Sequence, residues 1–288
     1  MKTLIFGAGG QVGRALATAA PPGAEVVLLD RAACDVTQRD QVEQAVAAAK
    51  PDLVINAAAF TAVDQAELEP EAARLVNAAA PGWIAAAARA AGARCVHIST
   101  DFVFDGASGA PYAPDAAANP LSTYGRTKRD GEIAALAADP GALVVRTAWV
   151  HSPHGNGFLQ TMLRLIGQGE MVRAVADEVS TPTYAAPLAE AIWSLAAAGA
   201  SGIHHFTDAG VATRYDMAVA IGEEGLAAGL FTSAPQIVPI PSSQFPAPAR
   251  RPAFSVLDKS ATWALLGGPA PHWRANLRRC IAQIAGHG

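Results

Sequence analysis

The first half of the chain alternates short, continuous apolar runs with longer alanine-rich segments, and few folds accommodate that pattern. Thr3-Leu4-Ile5-Phe6, Val26-Val27-Leu28-Leu29, Leu53-Val54-Ile55, Cys95-Val96-His97-Ile98 and Leu143-Val144-Val145 are short and rich in Val, Ile and Leu. Unbroken runs of this length are what strands buried on both faces require. Between them the spacing predicts helices near 11–20, 38–50, 70–91 and 122–138. Strand–helix alternation argues for an α/β fold, a doubly wound parallel sheet of the Rossmann-like kind. Beyond Trp149 the pattern loosens. The stretch 238–252 is proline-rich and reads as an irregular lid or connection. Helical patterns return near 184–198, 213–229 and 272–285. Residues 151–288 are expected to form mainly a smaller C-terminal substrate lobe, with a segment near 180–206 returning to the sheet.

Gly7-Ala8-Gly9-Gly10-Gln11-Val12-Gly13 follows the first run and opens the first helix. The spacing that fits is Gly7-x-x-Gly10-x-x-Gly13. Glycines here allow a tight turn, admit a pyrophosphate close to backbone N–H groups and let the helix pack on the strand. The helix N-terminus adds partial positive charge. Residues 1–150 are therefore expected to bind a dinucleotide. The second run ends at Asp30-Arg31. A carboxylate about 20 residues past the glycines suits the ribose hydroxyls of NAD, and a neighbouring Arg suits the 2′-phosphate of NADP. Both are present, so NADH and NADPH stay open, as does a pair of solvated loop charges. Asn56-Ala57-Ala58-Ala59-Phe60-Thr61 puts small residues at another strand exit, where a cofactor can lie against backbone or a helix can pack tightly.

Ser99-Thr100 lies at the exit of the Cys95–Ile98 run, and Tyr124-Gly125-Arg126-Thr127-Lys128 follows. On a helix, residues four apart share a face, so the Lys128 ammonium can sit beside the Tyr124 phenol. A nearby cation lowers a phenol's pKa toward neutrality, which suits proton exchange with a substrate alcohol. With four Tyr and four Lys in the chain, that spacing alone is weak; its weight comes from the preceding glycine loop and hydroxyl residues. Ser99 and Thr100 can donate to a carbonyl, or merely cap a turn.

Composition removes other classes. The net charge of −4 gives no basic footprint for nucleic acid. Cys34, Cys95 and Cys280 are far apart and odd in number, which argues against a disulfide framework or a zinc site. The most apolar stretches are broken by Pro81, Gly82 and Arg89, or by Pro187 and Glu190, short of a membrane span. Only the four residues Thr3–Phe6 separate Lys2 from Gly7, too few for a secretory signal. A cytoplasmic protein is expected.

These motifs together resemble the extended short-chain dehydrogenases/reductases, and within them the dTDP-4-dehydrorhamnose reductases, over nearly the full length. Arg146-Thr147-Ala148-Trp149-Val150, Asn156-Gly157-Phe158 and Thr181-Pro182-Thr183 add to the likeness, with Thr61-Ala62-Val63-Asp64, Ser99-Thr100-Asp101 and Arg251-Pro252 pointing to the subgroup. The resemblance implies reduction of the C4 carbonyl of dTDP-4-dehydro-L-rhamnose by NADPH or NADH. Tyr124 would donate the proton, Lys128 would lower its pKa and hold the nicotinamide ribose, and Thr100 would hydrogen-bond the carbonyl. Gln11, Val12, Thr61, Asp35 and Val36 would join the cofactor site, the last two beside the adenine, although Asp35 also reads as a helix cap before Thr37. Trp149 would line the sugar pocket. Asp101 and Arg251 would be further substrate contacts, Arg251 at the diphosphate. The alternatives are a reductase of another 4-keto-deoxysugar nucleotide, or a non-catalytic NAD(P)-binding regulatory subunit.

One departure bears on assembly. Some members form dimers bridged by Mg²⁺ through glutamates, but Ala15 and Ala186 stand where two such carboxylates belong. Alanine offers no oxygen donor to a hard cation. No structural metal is expected, and the chain is read as a monomer or weak homodimer.

Overall fold

The structure is a computed structural model that describes residues 1–286. Its first part runs β1 (Lys2–Phe6), α1 (Gln11–Thr18), β2 (Glu25–Leu29), α2 (Arg39–Ala49), β3 (Leu53–Asn56), α3 (Val63–Leu68), α4 (Pro70–Arg74), α5 (Ala80–Ala90), β4 (Arg94–Thr100), α6 (Thr123–Ala138) and β5 (Leu143–Thr147). There follow β6 (Val150–His151), α7 (Phe158–Gly167), β7 (Val172–Val175), β8 (Val179–Ser180), β9 (Thr183–Tyr184), α8 (Ala185–Ala197), β10 (Gly202–His205), β11 (Ala212–Thr213), α9 (Arg214–Ala227), β12 (Ile237–Ile240), α10 (Ser260–Leu265) and α11 (Trp273–Ile284).

Six strands form one sheet in the order β10-β5-β4-β3-β1-β2, parallel throughout. Residue alternation explains its two helical layers. Leu4, Phe6, Val54 and Cys95 point into one core with residues of α2, α5 and α6. Ile5, Leu53, Ile55 and Val96 point into the other, against α1 and α8. Both faces are apolar because both are covered. From β1 the chain first builds β2 on one side and then β3 on the other. The crevice beyond the carboxyl ends of β1 and β3 is therefore a topological switch point, where open α/β sheets bind ligands.

The C-terminal region has its own core from α7, α9, α11 and β7. After α8 the chain returns to the sheet as β10, paired with β5. Two expectations need correction. The proline-rich 238–252 stretch is not wholly irregular, since β12 pairs in parallel with β7, and Pro239 fits there because β12 has one neighbour only. The expected helix at 70–91 is interrupted by a π-turn at Leu75–Ala79. That turn directs Asn77 at two segments at once: its Oδ1 accepts from the Phe60 N–H (2.8 Å), and its Nδ2 donates to the Phe60 carbonyl (3.1 Å) and to Thr127 Oγ1 (3.3 Å).

Candidate active site

Two cavities open at the switch point. One, of about 440 Å³, is bordered by the glycine loop, Asp30, Arg31, Asp35, Val36 and Ala57–Ala59. The other, of about 670 Å³, is bordered by Gln11, Val12, Thr61, Thr100, Tyr124, Lys128 and Trp149. Gly9, Gly10, Ala57 and Ala59 border both, so the two are halves of one groove.

The loop that floors this groove tolerates no side chain at its two ends. Gly7 has φ of 76°, in the left-handed region, and a Cβ there would stand 2.5 Å from the Ala58 nitrogen. A Cβ on Gly13 would stand 2.3 Å from the Gly7 carbonyl oxygen. Gly13 borders neither cavity; it lets α1 pack onto the loop. This is a cradle with the shape and exposed backbone that a dinucleotide's phosphates need. Asp30 Oδ1 accepts from the N–H groups of Ala32 and Ala33 (3.0 and 2.9 Å), which shapes the turn beside Arg31. Asp35 turns the chain as well, accepting from the Thr37 N–H (3.0 Å), and this bond holds its carboxyl below the usual range despite partial burial.

On the catalytic side, Tyr124 and Lys128 occupy the first turns of α6. Ser122 caps that helix by accepting from the Gly125 N–H (3.1 Å). Gly125 permits the close approach. A Cβ there would lie 2.2 Å from the Phe102 carbonyl oxygen, so glycine brings Tyr124 up to the turn that follows Thr100. Thr100 accepts from the Phe102 N–H (3.2 Å), so the residue that caps this turn also borders the cavity.

The expected acidification of the phenol is corrected by the structure. Burial pushes Tyr124 up to about 12, with a hydrogen bond to Thr100 opposing and the charge of Asp101 adding to it. The Lys128 ammonium is turned elsewhere, donating to the Ile98 carbonyl (2.7 Å) and lying 3.4 Å from His97 Nε2. Lys128 is only 1% exposed, and burial brings its pKa down to about 8.

Two expected substrate contacts are engaged by other side chains of the protein. Asp101 is 1% exposed and beneath the cavity, bound by Thr100 (3.1 Å), Ser180 (2.9 Å) and Ser255 (2.5 Å); burial raises its pKa against these bonds. Arg251 is committed to Asp64 (2.8 Å) and the Ala249 carbonyl (3.1 Å). Sequence reasoning missed His97 and Asn56 behind Lys128, and Arg214, whose guanidinium stacks 3.7 Å over the Trp149 ring. Trp149 itself has a positive φ of 43°, uncommon for a bulky residue. A signal for His97 existed: His97 and Ser99 are polar at alternate positions beside the apolar Cys95, Val96 and Ile98 of β4, and they meet Lys128 and Glu132, four apart on α6.

The sequence model of the RmlD substrate binding domain family matches residues 1–285. The chain belongs to the RmlD family. It is an extended short-chain dehydrogenase/reductase, as the motifs imply. Among RmlD-like relatives, a dTDP-4-dehydrorhamnose reductase of Burkholderia thailandensis is 41% identical, with 99% of each chain covered. A probable dTDP-4,6-dihydroxy-2-methyloxan-3-one 4-ketoreductase of Streptomyces antibioticus is 40% identical over 99% of this chain and 96% of its own. The crystal structure of dTDP-4-dehydrorhamnose reductase from Bacillus anthracis in complex with NADP superposes with a TM-score of 0.91 at 31% identity, covering 98% of this chain and 99% of that one. In this RmlD-family chain Ala15 and Ala186 pack among apolar neighbours and present no oxygen donor for Mg²⁺. Among the described residues, no helix is long and apolar enough to cross a membrane.

Proposed function

We propose that the chain reduces the C4 carbonyl of dTDP-4-dehydro-L-rhamnose to dTDP-L-rhamnose with NADPH or NADH, Tyr124 donating the proton. The observation that carries this reading is the convergence of Thr100, Tyr124 and Lys128 on a cavity continuous with the glycine-loop groove. A reduced nicotinamide bound in that groove supplies a hydride. The backbone at Gly9 and Gly10 holds the phosphates, and the small side chains of Ala57–Ala59 leave room for the rest of the dinucleotide. Arg31 beside Asp30 supports acceptance of NADPH, the reduced form of the NADP bound by the Bacillus anthracis relative. Thr100 hydrogen-bonds the carbonyl oxygen and polarises it. Tyr124, held near 12, is protonated at neutral pH and transfers its proton as negative charge develops on that oxygen.

Similarity to the Streptomyces antibioticus protein favours one second reading, a 4-ketoreductase of a different deoxysugar nucleotide. A purely regulatory NAD(P)-binding subunit is less well supported, because it would not need the three polar residues in one cavity. The test follows NAD(P)H absorbance with dTDP-4-dehydro-L-rhamnose against other 4-keto nucleotide sugars. Tyr124→Phe should lower kcat by roughly 10²- to 10⁴-fold while leaving NADPH binding unchanged. Unimpaired turnover would remove Tyr124 from the mechanism, and cofactor binding without turnover of any 4-keto sugar would favour the regulatory subunit.

A further inference from the structure

Arg146 and Arg251 each have a carboxylate partner, Glu132 and Asp64, at 2.8 Å. Arg214 has none. Among the described residues, nothing accepts a hydrogen bond from its guanidinium and no carboxylate forms an ion pair with it. Its plane is used instead. The central carbon stands 3.7 Å from the centroid of the Trp149 ring and 4.9 Å from that of Phe158. Stacking covers the face of a guanidinium and leaves the N–H donors along its edge free.

The fold brings this side chain to the wall of the catalytic cavity. β11 pairs with β8, which sets Ala212 opposite Ser180 and Thr213 opposite Val179. Ser180 in turn holds Asp101 (2.9 Å), next to Thr100. Thr213 then caps α9 by accepting from the Asp216 N–H (3.0 Å), so Arg214 begins that helix against Trp149, which borders the cavity. Burial brings the Arg214 pKa down to about 10; the charges of Asp101 and Glu178 oppose this, and that of Arg251 adds to it. Arg214 is therefore a full cation at neutral pH. A partly desolvated charge without a partner is unfavourable until a counter-ion reaches it. Asp101 cannot serve, being spent on three hydroxyls.

In the reductase reading, C4 of the sugar lies at Thr100 and Tyr124. C1 carries the diphosphate and lies across the pyranose ring from C4. The diphosphate therefore leaves the sugar on the side away from Tyr124, and it is the substrate's only fixed anion. Arg251, the expected partner, is committed to Asp64 and the Ala249 carbonyl. We infer that Arg214 binds the sugar-linked phosphate of that diphosphate through the edge of its guanidinium, so that this residue selects nucleoside diphosphate sugars. The inference rests on the reductase reading above. Two parallel N–H bonds to phosphate oxygens match the guanidinium fork and supply the missing counter-charge. One indole then serves both ends of the substrate: it supports the cation and borders the space for the sugar. Arg214 touches no reacting atom, so it holds ground state and transition state alike.

Calorimetric titration of the full chain with dTDP and with dTMP tests this, because dTMP lacks the phosphate in question. Arg214→Met keeps an apolar stem against Trp149 and Phe158 and removes the charge. Its dTDP Kd should rise by roughly tenfold or more, with the dTMP and NADPH Kd values unchanged. Arg214→Lys restores a point charge without the fork and should recover part of the loss. In turnover the KM for the nucleotide sugar should rise with kcat nearly constant, as removal of uniform binding requires. A residue that only packs against Trp149 would lower the thermal midpoint or weaken dTMP and dTDP equally, and either result without a selective dTDP loss would overturn the inference. So would a wild-type dTDP Kd in both variants. These titrations need no turnover. A selective dTDP loss in a chain that reduces no 4-keto sugar would uphold the phosphate site and remove the reductase reading alone.

Discussion

At neutral pH the phenol of Tyr124 keeps its proton, and this suits a group whose task is to give one away. The adjacent-cation account applies poorly, because Lys128 spends its short hydrogen bond on the Ile98 carbonyl. At the other end of the groove, residue identity is set by backbone alone. Gly7→Ala would force a side chain into the left-handed region, costing about 1–2 kcal/mol, and would drive a methyl into the Ala58 amide. Thermal unfolding should report that loss, and NADPH titration should report binding weakened by roughly tenfold or more. Native binding in this variant would mean that the loop does not hold the cofactor.

The element that carries the chemistry is anchored from below. Glu132, two turns beyond Tyr124 on α6, takes a two-pronged bond from Arg146 of β5 (2.8 Å for each contact), with both side chains essentially inaccessible. Glu132→Gln leaves a buried guanidinium without its counter-charge and should cost about 3–5 kcal/mol in denaturant unfolding. The pair also sets a pH dependence. Arg146, Ser99 and Arg129 overcome the burial penalty and hold the Glu132 carboxyl below its ordinary 4.5. Its contribution is therefore complete above that value and is lost as pH falls through the lowered one. An acid-unfolding midpoint unchanged in Glu132→Gln would contradict this. Elements of this kind were legible in the sequence because their signals are local: β1, β3, β4 and β5 each contain a short apolar run, and α6 has a capping serine and a helical Tyr/Lys spacing. The two-residue strands β6, β8, β9 and β11 carry no periodicity to read. The burial of Asp101 depends on Ser180 and Ser255, which lie 79 and 154 residues away, and the commitment of Arg251 depends on Asp64, 187 residues away. Such partners exist only once the chain is folded.

Across the whole molecule, those same contacts tie the C-terminal region to α3 and to the turn that follows β4. Assembly is open to test at this scale. With Ala15 and Ala186 in place of acidic side chains, adding a chelator should leave the mass in solution unchanged, as read by light scattering; a fall would reveal a metal-bridged dimer. The floor shared by the two cavities has a consequence for kinetics. Gly9, Gly10, Ala57 and Ala59 belong to both, so whatever fills one compartment becomes a wall of its neighbour. Thickening this seam by Ala57→Val should raise the Michaelis constants for dinucleotide and sugar together, by several-fold each on the scale of one or two misplaced methyl groups. Widening or narrowing at Arg31, at the far end, should be felt by the dinucleotide alone.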